Sequence, residues 1–290
     1  MSGENTLLNE YALSNLSALP YYEDFRNHRE RLTARVVAAA GANASLCVLG
    51  AGNCFDLDLA AVTQHYAEVH LVDIDAAAVQ GTVTRQNAST QQRLVVHGQV
   101  DLSGLHDRID RWAQLQVTPE ELMSHAERTS RQVGAQIGRC FDVVLSACML
   151  SQMHLSLLSA LSDAHPLFQA ASWTLNLTHF RTLAHLTRPG GAALFVTDVS
   201  AAQVAVDATT PTLDCLQRVQ EVLGSGRAFD FADPTRLQAM LAEDPILRTI
   251  FPNWTMDDAW VWNNGPVSKF LVYASTLPRA EFASTAERSR

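Results

Sequence analysis

The sequence is poor in positive charge. It has 21 lysines and arginines against 30 aspartates and glutamates, a formal net charge of −9, and Lys269 is its only lysine. A negative surface repels phosphate backbones and anionic membranes, so this composition argues against non-specific binding to either. We therefore expect neither nucleic acid nor a membrane among the partners.

The sequence also lacks the features of a membrane or secreted protein. No apolar run reaches the length of a membrane-spanning helix, and no basic-plus-apolar signal stands at the N-terminus. The five cysteines are odd in number and scattered, without the spacing of metal ligands or of a disulfide framework. These absences predict a cytoplasmic protein with reduced thiols and no metal site.

What the sequence does have is enough apolar material for a large core. Of its 290 residues, 47% are hydrophobic. A chain of this length and composition suits one large α/β domain with insertions, or a domain with a cap.

The most informative stretch begins as an apolar run at residues 45–49, breaks at Gly50 and Gly52, and continues as a helical pattern. A strand, a glycine turn and a helix in this order form the unit that cradles a nucleotide in α/β proteins. The next strand ends at Asp73, about 20 residues after the first glycine, where a carboxylate can meet a ribose hydroxyl. The sequence therefore predicts a nucleotide site at this turn.

Further strands alternate with helical stretches along the rest of the chain. Two apolar runs then flank Asn263-Asn-Gly-Pro266, and Asn-Gly between apolar runs is a hairpin signal. The pattern predicts an α/β domain whose sheet ends antiparallel. The expected strands span residues 45–49, 69–73, 93–97, 141–146, 192–197, 259–262 and 267–275.

These strands define the expected domain organisation. A central domain covers residues 41–275, with helical insertions at about 105–139 and 200–258. Residues 1–40 read as helices, which form either a lid over that domain or a plain N-terminal packing layer. Residues 276–290 are polar and charged and are predicted to be a loose tail.

Five segments resemble, in chain order, the motifs of class I S-adenosylmethionine-dependent methyltransferases. The resemblance covers roughly residues 41–275. It implies a Rossmann-like, doubly wound, mostly parallel seven-stranded sheet ending in an antiparallel hairpin, with S-adenosylmethionine as methyl donor and S-adenosylhomocysteine as product. The segments are Val48-Leu-Gly-Ala-Gly-Asn53, Leu71-Val-Asp-Ile-Asp75, Gly98-Gln-Val-Asp-Leu102, Phe141-Asp-Val-Val-Leu-Ser146 and Arg188-Pro-Gly-Gly-Ala192.

Two positions depart from the family pattern. Many members carry an acid two residues before the first glycine and a third glycine two residues after the second. Val48 and Cys54 occupy those places here. The first change removes a usual partner of the donor's ammonium group, and the second narrows the turn. The acids that follow, Asp56 and Asp58, are interpreted as complements of the dipole of the next helix.

The resemblance implies a donor site along the strand ends. Asp73 is expected to accept hydrogen bonds from both ribose hydroxyls while Ile74 packs against the adenine. Asp101 either accepts a bond from the adenine amino group, beside Leu102, or caps the turn that follows. The remaining implied donor contacts are Gly50, Ala51, Gly52 and Asn53 around the amino-acid part, and Ser146 and Ala147 near the methyl group.

The acceptor side carries fewer signals. Gln152 and His154 are the polar groups closest to the end of the fourth strand. His154 is either a base that deprotonates a hydroxyl or amine acceptor, or a histidine on the surface of the next helix. Tyr21, Tyr22 and Arg26 are candidates to contact an acceptor from the lid, with plain packing as the alternative.

The residues and the resemblance together predict an enzyme that transfers a methyl group to a small organic acceptor by in-line displacement. A non-catalytic binding or scaffold protein is the first alternative. Aminopropyl transfer is a second, but it calls for a carboxylate pair after the fourth strand, and residues 148–154 contain no acid. Dinucleotide binding needs a glycine where Phe55 stands. The sequence gives no indication of the oligomeric state.

Overall fold

One seven-stranded sheet forms the centre of the structure, a computed structural model that describes residues 6–106, 108–114, 117–201, 209–265 and 268–281. The strands are β1 (Ser45–Leu49), β2 (Glu68–Val72), β3 (Leu94–His97), β4 (Phe141–Ala147), β5 (Thr187–Ala201), β6 (Thr255–Asn264) and β7 (Ser268–Pro278). Their spatial order is β3-β2-β1-β4-β5-β7-β6. β1 to β5 pair in parallel, whereas β7 pairs antiparallel with both β5 and β6.

Helices cover both faces of this sheet. All five residues of β1 are buried, Leu46 and Val48 on one face and Cys47 and Leu49 on the other. Side chains alternate along a strand, so a strand covered on both faces needs apolar residues throughout. The helices are α1 (Thr6–Ala18), α2 (Arg26–Ala38), α3 (Leu59–His65), α4 (Ala76–Thr84), α5 (Ala88–Gln91), α6 (Ile109–Ala113), α7 (Pro119–Ile137), α8 (Met149–Leu161), α9 (Phe168–Leu186), α10 (Thr212–Gly224), α11 (Pro234–Glu243) and α12 (Leu247–Ile250). The expected doubly wound α/β sheet with its closing antiparallel hairpin is confirmed.

β5 is longer than the sequence predicts. The sequence predicts it over residues 192–197, whereas it spans Thr187–Ala201. After α9 ends, the chain bulges at Gly190, whose φ is 72°, and pairs regularly with β4 from Ala192 onward. A Cβ on Gly191 would lie 2.6 Å from the Asp142 carbonyl oxygen, so glycine permits the close approach of β5 to β4 at this point.

The closing hairpin also begins earlier than expected, because β6 starts at Thr255 rather than at residue 259. Its turn contains Gly265, whose φ of 80° lies in the left-handed region that glycine favours. Pro266 and Val267 lie outside the described residues.

The segment before β1 has two parts with different positions. α2 packs against α3 and β6 and buries His28, Leu32 and Val36, so it belongs to one layer of the domain. α1 instead lies over the glycine turn, where Asn15 touches Gly52. A lid was predicted over residues 1–40. Within the described residues, α1 covers the glycine turn as a lid would, whereas α2 does not.

Both long connections contain helices. Residues 105–139 include α6 and α7, and residues 200–258 include α10 to α12, with 202–208 outside the described residues. β7 reaches Pro278, and most of the tail predicted at 276–290 also lies outside them. In the described parts of the chain, no helix has both the length and the apolar character that a membrane crossing requires.

One carboxylate ties together the starts of three parallel strands. Asp142 of β4 accepts hydrogen bonds from Ser45 N and Oγ at 2.8 and 2.7 Å, and from Arg188 Nε at 2.6 Å. Burial works to raise the pKa of Asp142, but the bonds from Ser45 and the Arg188 guanidinium outweigh it and hold the pKa below its usual range. The ionised carboxylate therefore stabilises the fold.

We expect Asp142→Asn to lower the free energy of unfolding at pH 7 by about 1–3 kcal/mol, the range for a hydrogen bond to a charged group. Because folding depresses the pKa of Asp142, its contribution is present above about pH 4, the unfolded value, and is lost as the pH falls through the folded value. Urea unfolding at pH 7 and pH 3 should show the gap between wild type and variant shrinking at pH 3. A gap of equal size at both pH values would contradict this. Asp163→Asn, in an exposed turn, is the matched control.

Candidate functional site

The glycine turn lies at the carboxyl ends of β1, β2 and β4. Gly50, Gly52 and Cys54 have φ of 69°, 45° and 51°, all in the left-handed region. The N–H groups of Gly50 and Ala51 both donate to the Val72 carbonyl, at 2.9 and 3.0 Å. Cys54 thus adopts the conformation that glycine favours, at a cost of about 1–2 kcal/mol. Cys54, at the place of the third glycine in the motif that the sequence resembles, holds this left-handed conformation itself.

Two side chains close on this turn from opposite helices. A Cβ on Gly50 would lie 2.2 Å from Met149 Sδ, in the first residue of α8. A Cβ on Gly52 would lie 2.7 Å from Asn15 Oδ1, in α1. The backbone of the turn is therefore approached on both sides more closely than any side chain would allow.

Side-chain hydrogen bonds hold α1 against the turn and against α8. Asn15 Nδ2 donates to Asp75 Oδ2 at 2.9 Å, and Asn53 Nδ2 donates to the Asn15 carbonyl. Ser156 Oγ of α8 donates to Tyr11 Oη at 2.9 Å. Burial raises the pKa of Tyr11 to about 12, with Asp101 and Asp73 adding to the rise and the Ser156 bond opposing it. Tyr11 therefore stays neutral beside the two acids.

Asp73 occupies the centre of the cleft beneath α1. Its Oδ2 accepts from Gly52 N at 2.8 Å and its Oδ1 from Asp75 N at 2.7 Å. Burial raises the pKa of Asp73 to about 6, although these two N–H donors lower it in part. The carboxylate is mostly ionised at pH 7 and keeps lone pairs for further donors.

A narrow slot of about 20 Å³ beside Asp73 is lined by Ile74, Asp101 and Leu102, with Tyr11 above it. The structure thus brings together the four residues that the sequence assigns to ribose and adenine. The slot is flanked by apolar side chains and ends at carboxylates.

Asp101 also caps the turn that follows it. Its Oδ1 accepts from Ser103 N, Ser103 Oγ and Gly104 N, at 2.9, 2.6 and 3.0 Å. Its Oδ2 accepts from His106 N alone among the described residues, at 2.9 Å. Asp101 therefore caps the turn as one of the two expectations had it, and its Oδ2 retains a lone pair for a donor in the slot.

A second part of the cleft, of about 130 Å³, lies against the predicted residues Gly50, Ala51, Gly52 and Asn53 and reaches Asp56. Asp56 and Asp58 were both interpreted as complements of the helix dipole. Asp58 is the N-cap of α3 and fits that interpretation, whereas Asp56 faces this cavity. Burial raises the pKa of Asp56 to about 7, with Arg29 opposing the rise.

A buried histidine stands behind Asp56. Asp56 Oδ1 is buried without a hydrogen-bond partner in the described chain and lies 3.5 Å from His28 Nε2. Trp260 Nε1 donates to His28 Nδ1 at 3.0 Å, so the ring's own proton is on Nε2, facing the carboxylate. Burial lowers the pKa of His28 to about 3, helped by Arg29, and the ring is neutral. Asp56 therefore has no cation of its own at Oδ1.

A larger cavity of about 380 Å³ adjoins the cleft. Cys148, Gln152, Trp262 and Asn264 line both spaces, so the two are separated by one shared wall. Gln152 also borders the slot beside Asp73. The predicted acceptor contact Gln152 is thus in a position between a donor-sized cleft and a second ligand cavity.

His154 lines the large cavity but is engaged on both ring nitrogens. Its Nδ1 lies 2.9 Å from the Leu150 carbonyl and must donate, so Nε2 accepts from Ser172 Oγ at 2.9 Å. The residue is only 4% exposed, which excludes the alternative of a surface histidine. Burial lowers the pKa of His154 to about 4, against these two hydrogen bonds. His154 is therefore a weak base in this environment.

Several predicted site residues lie elsewhere. Ser146 is fully buried and its Oγ lies 2.8 Å from His179 Nε2, whereas the neighbouring Ala147 does border the cleft. Tyr21 and Tyr22 are 38% and 42% exposed and line none of the cavities above. Arg26, likewise outside them, pairs with Glu23 at the surface. Among the described residues, no group of three or more histidine, cysteine or acidic side chains could hold a metal ion.

Sequence reasoning missed several polar residues that border these cavities, among them Tyr11, Asn15 and Asp198. Tyr11 and Asn15 belong to α1, and nothing in the sequence indicates which face of that helix meets the turn. Asp198 lies deep in the large cavity, 3% exposed. It stands one residue beyond the predicted end of the fifth strand, so the strand-end reasoning that found Asp73 could have found it too.

No protein-family model matches the chain, and neither does any curated protein. Among solved structures, the chain is similar to the N-methyltransferase NodS from Bradyrhizobium japonicum WM9, with 13% identity over 90% of this chain and 97% of that one, at a TM-score of 0.40. The glycopeptide N-methyltransferase MtfA is 9% identical over 86% and 90%, with a TM-score of 0.41. An rRNA methylase from Streptococcus thermophilus is 8% identical over 86% and 94%, at 0.39. At such identities the likeness concerns the fold alone and singles out no acceptor.

The effect of the Met149 contact at Gly50 on stability can be measured separately from the effect of backbone strain. Gly138, the C-cap of α7, has φ of 75° and nothing within 4 Å of the point that a Cβ would occupy, whereas a Cβ on Gly50 would meet Met149 at 2.2 Å. We expect Gly138→Ala to lower the free energy of unfolding by about 1–2 kcal/mol through the backbone alone. Gly50→Ala should lower it further.

Urea unfolding of both variants, each with and without Met149→Ala, measures the difference. Truncating Met149 should recover part of the loss in Gly50→Ala and none of the loss in Gly138→Ala. Equal losses in the two glycine variants, or no recovery, would show that Met149 does not press on the turn.

Proposed function

We propose that the protein is an S-adenosylmethionine-dependent methyltransferase that acts on a small organic acceptor. One observation carries this proposal. The cleft formed by the glycine turn, Asp73 and the slot at Asp101 meets a separate 380 Å³ cavity across the shared wall of Cys148 and Gln152. Two adjoining sites at one sheet edge suit a reaction between a nucleoside-type donor and a second, smaller molecule.

The residues of the cleft fit the donor in chemical character. Asp73 has lone pairs free for two ribose hydroxyls, and Ile74 and Leu102 offer an apolar slot for a flat base. Asp101 Oδ2 can accept from an exocyclic amino group. At the other end, the Asp56 carboxylate borders the cleft and can meet an ammonium group there. We infer that Asp56 substitutes for the acid that Val48 replaces.

When bound, the donor supplies a methyl group activated by a sulfonium sulfur. The chain's own contribution is positional, because an in-line displacement depends mainly on holding the reacting atoms close and collinear. Gly50, Met149 and Ala147 lie at the junction of the strand ends where that alignment is set.

α1 acts as the lid of the donor site. The two parts of the cleft measure about 20 and 130 Å³, less than the roughly 300–1,000 Å³ of most ligand pockets. The helix is held by the polar contacts of Asn15 and Tyr11 rather than by a large apolar face, and Leu13 and Leu16 are 65% and 62% exposed. Admission of a nucleoside therefore requires α1 to move outward.

The large cavity favours a small molecule over nucleic acid. Its described lining residues include Asp198 and Asp230 and no arginine or lysine. A phosphate backbone needs cationic contacts, and this cavity would repel it. The formal charge of −9 acts in the same direction.

The same two acids, Asp198 and Asp230, also support a second candidate function, aminopropyl transfer. The sequence argues against it because residues 148–154 contain no acid, but Asp198 and Asp230 bring carboxylates to the cavity from other elements. Its donor is decarboxylated S-adenosylmethionine. Calorimetric titration of both donors separates the two functions, since tighter binding of the decarboxylated donor would favour aminopropyl transfer. A scaffold protein would bind a donor and transfer nothing.

The ribose assignment is tested by Asp73→Asn. Each hydrogen bond to a charged group is worth about 1.5–3 kcal/mol, so we expect S-adenosylhomocysteine to bind at least roughly tenfold more weakly. Asp58→Asn removes the same charge outside the cleft and keeps the N-cap of α3, so its affinity should match wild type. Isothermal titration calorimetry measures all three. Equal affinities for Asp73→Asn and wild type would reject the assignment, and wild type without affinity for donor or product would reject the proposed function.

The role of Asp56 is tested with two ligands that differ only in the amino-acid part. Asp56→Asn should bind S-adenosylhomocysteine more weakly than wild type does, yet bind 5′-methylthioadenosine, which lacks the ammonium group, with unchanged affinity. Since the pKa of Asp56 is about 7, the ratio of the two wild-type affinities should rise between pH 6 and pH 8 as the carboxylate ionises. Taking the ratio cancels the titration of Asp73, which both ligands share. A ratio that is flat in wild type, or the same in the variant, would contradict the assignment.

A further inference from the structure

The charged groups of the 380 Å³ cavity are all of one sign. Asp198 and Asp230 line it, and none of its described lining residues is arginine or lysine. Asp230 is 68% exposed at the rim, where Arg236 lies 3.6 Å away. Asp198 is 3% exposed and is the charge that a ligand inside the cavity would meet. A carboxylate or phosphate ligand would face this acid without a compensating cation.

Asp198 stands where the cavity meets the donor cleft. Its Oδ1 accepts from Ser151 Oγ at the start of α8. Two residues earlier, the Val196 carbonyl accepts from Cys148 N at 2.8 Å, and Cys148 borders both spaces. The acid is therefore beside the shared wall, on the side away from Asp73.

Aromatic rings surround the approach to this acid. Phe231 stacks on His154 at a centroid distance of 4.2 Å and on Phe229 at 5.5 Å, and Trp262 lies 5.6 Å from Phe270. All five line the cavity. Aromatic walls with an acid, and without arginine or lysine in the described lining, are the surroundings that stabilise an organic cation, through cation–π and ionic contacts together.

We propose that the acceptor is a primary or secondary amine whose nitrogen is held by Asp198 and whose apolar body lies among the phenylalanines. This inference rests on the proposed function, because it names the acceptor class of the same site. An amine arrives as an ammonium ion, which the cavity favours, and needs only to lose a proton to become a nucleophile. A hydroxyl acceptor would need a stronger base than His154, which is buried and already accepts from Ser172.

The proposed step conserves atoms and charge. The ammonium group gives one proton to the Asp198 carboxylate, and the nitrogen lone pair then forms a bond to the methyl carbon. The carbon–sulfur bond breaks and its electron pair stays on sulfur, which becomes a neutral thioether. The methylated amine carries the positive charge, and Asp198 passes its proton to water. Burial raises the pKa of Asp198 above its ordinary value, which suits it to hold that proton briefly.

The test compares head groups on the same body. Wild-type protein saturated with S-adenosylhomocysteine is titrated by calorimetry with 2-phenylethylamine, 2-phenylethanol and phenylacetate, and with hexylamine, hexanol and hexanoate. We expect the amines to bind at least tenfold more tightly than the matched alcohols, and the carboxylates most weakly. Incubation of the amines with S-adenosylmethionine should yield products heavier by one methyl group in mass spectrometry.

Asp198→Asn should remove the preference for amine over alcohol, while Asp163→Asn, the same change in an exposed turn, should keep it. The head-group comparison needs only wild-type protein, so it stands even if Asp198→Asn fails to fold. Alcohols or carboxylates that bind as tightly as amines, or amines that do not bind at all, would overturn the inference. If S-adenosylhomocysteine binds in those cases, the proposed function survives without it. If it does not bind, the proposed function itself fails.

Discussion

The hydrogen bonds that Asp73 accepts from Gly52 and Asp75 hold the candidate site together. They join the glycine turn after β1 to the turn after β2, so the shape of the first depends on the charge at the end of the second. Burying this carboxylate costs free energy, and the hydrogen bonds from the two backbone N–H groups offset only part of that cost. The pKa of Asp73 is therefore raised to about 6. A ligand with a pair of hydroxyl donors would complete its solvation. Ile74, next to Asp73, and Leu102, next to Asp101 in the loop after β3, line the same slot.

The departure at Val48 has a structural explanation on the opposite side of the turn. Val48 is 4% exposed in the apolar layer beneath α2 and α3, where a charged side chain would be expensive to bury. Asp56 brings a carboxylate to the cleft from beyond the turn instead. The neutral His28, oriented by Trp260, keeps a proton near that carboxylate without adding a positive charge. Under the proposed function, Asp56 rather than position 48 supplies the negative charge for an ammonium group.

Sequence patterns predicted the sheet and identified residues that line the cleft at its edge, because both depend on local features of the chain. Gly50 and Asp73 directly follow apolar strands, and Asp101 stands four residues after β3; strand ends are visible in the sequence as changes in hydropathy. The contacts of Asn15 depend on how α1 docks, which no local pattern encodes. Tyr21 and Tyr22 were predicted to contact an acceptor from the lid. The turn between α1 and α2 instead leaves both side chains at the surface. Asp198 was missed because β5 continues past its apolar core, with an irregular register after that residue.

The strand order explains how two acids at one sheet edge can serve different ligands. Asp73 follows β2 and Asp198 lies near the end of β5, and the sequence β2-β1-β4-β5 places three strand spacings, roughly 14 Å, between them. Each acid also has its own hydrogen-bond donors, Gly52 N and Asp75 N for Asp73 and Ser151 Oγ for Asp198. Between them lie only the ends of β1 and β4, where Gly50 has no side chain and Cys148 turns the backbone away with φ of 51°. In the proposed reaction, one carboxylate therefore binds the hydroxyls of the donor and the other binds the ammonium group of the acceptor, on opposite sides of Gly50 and Met149.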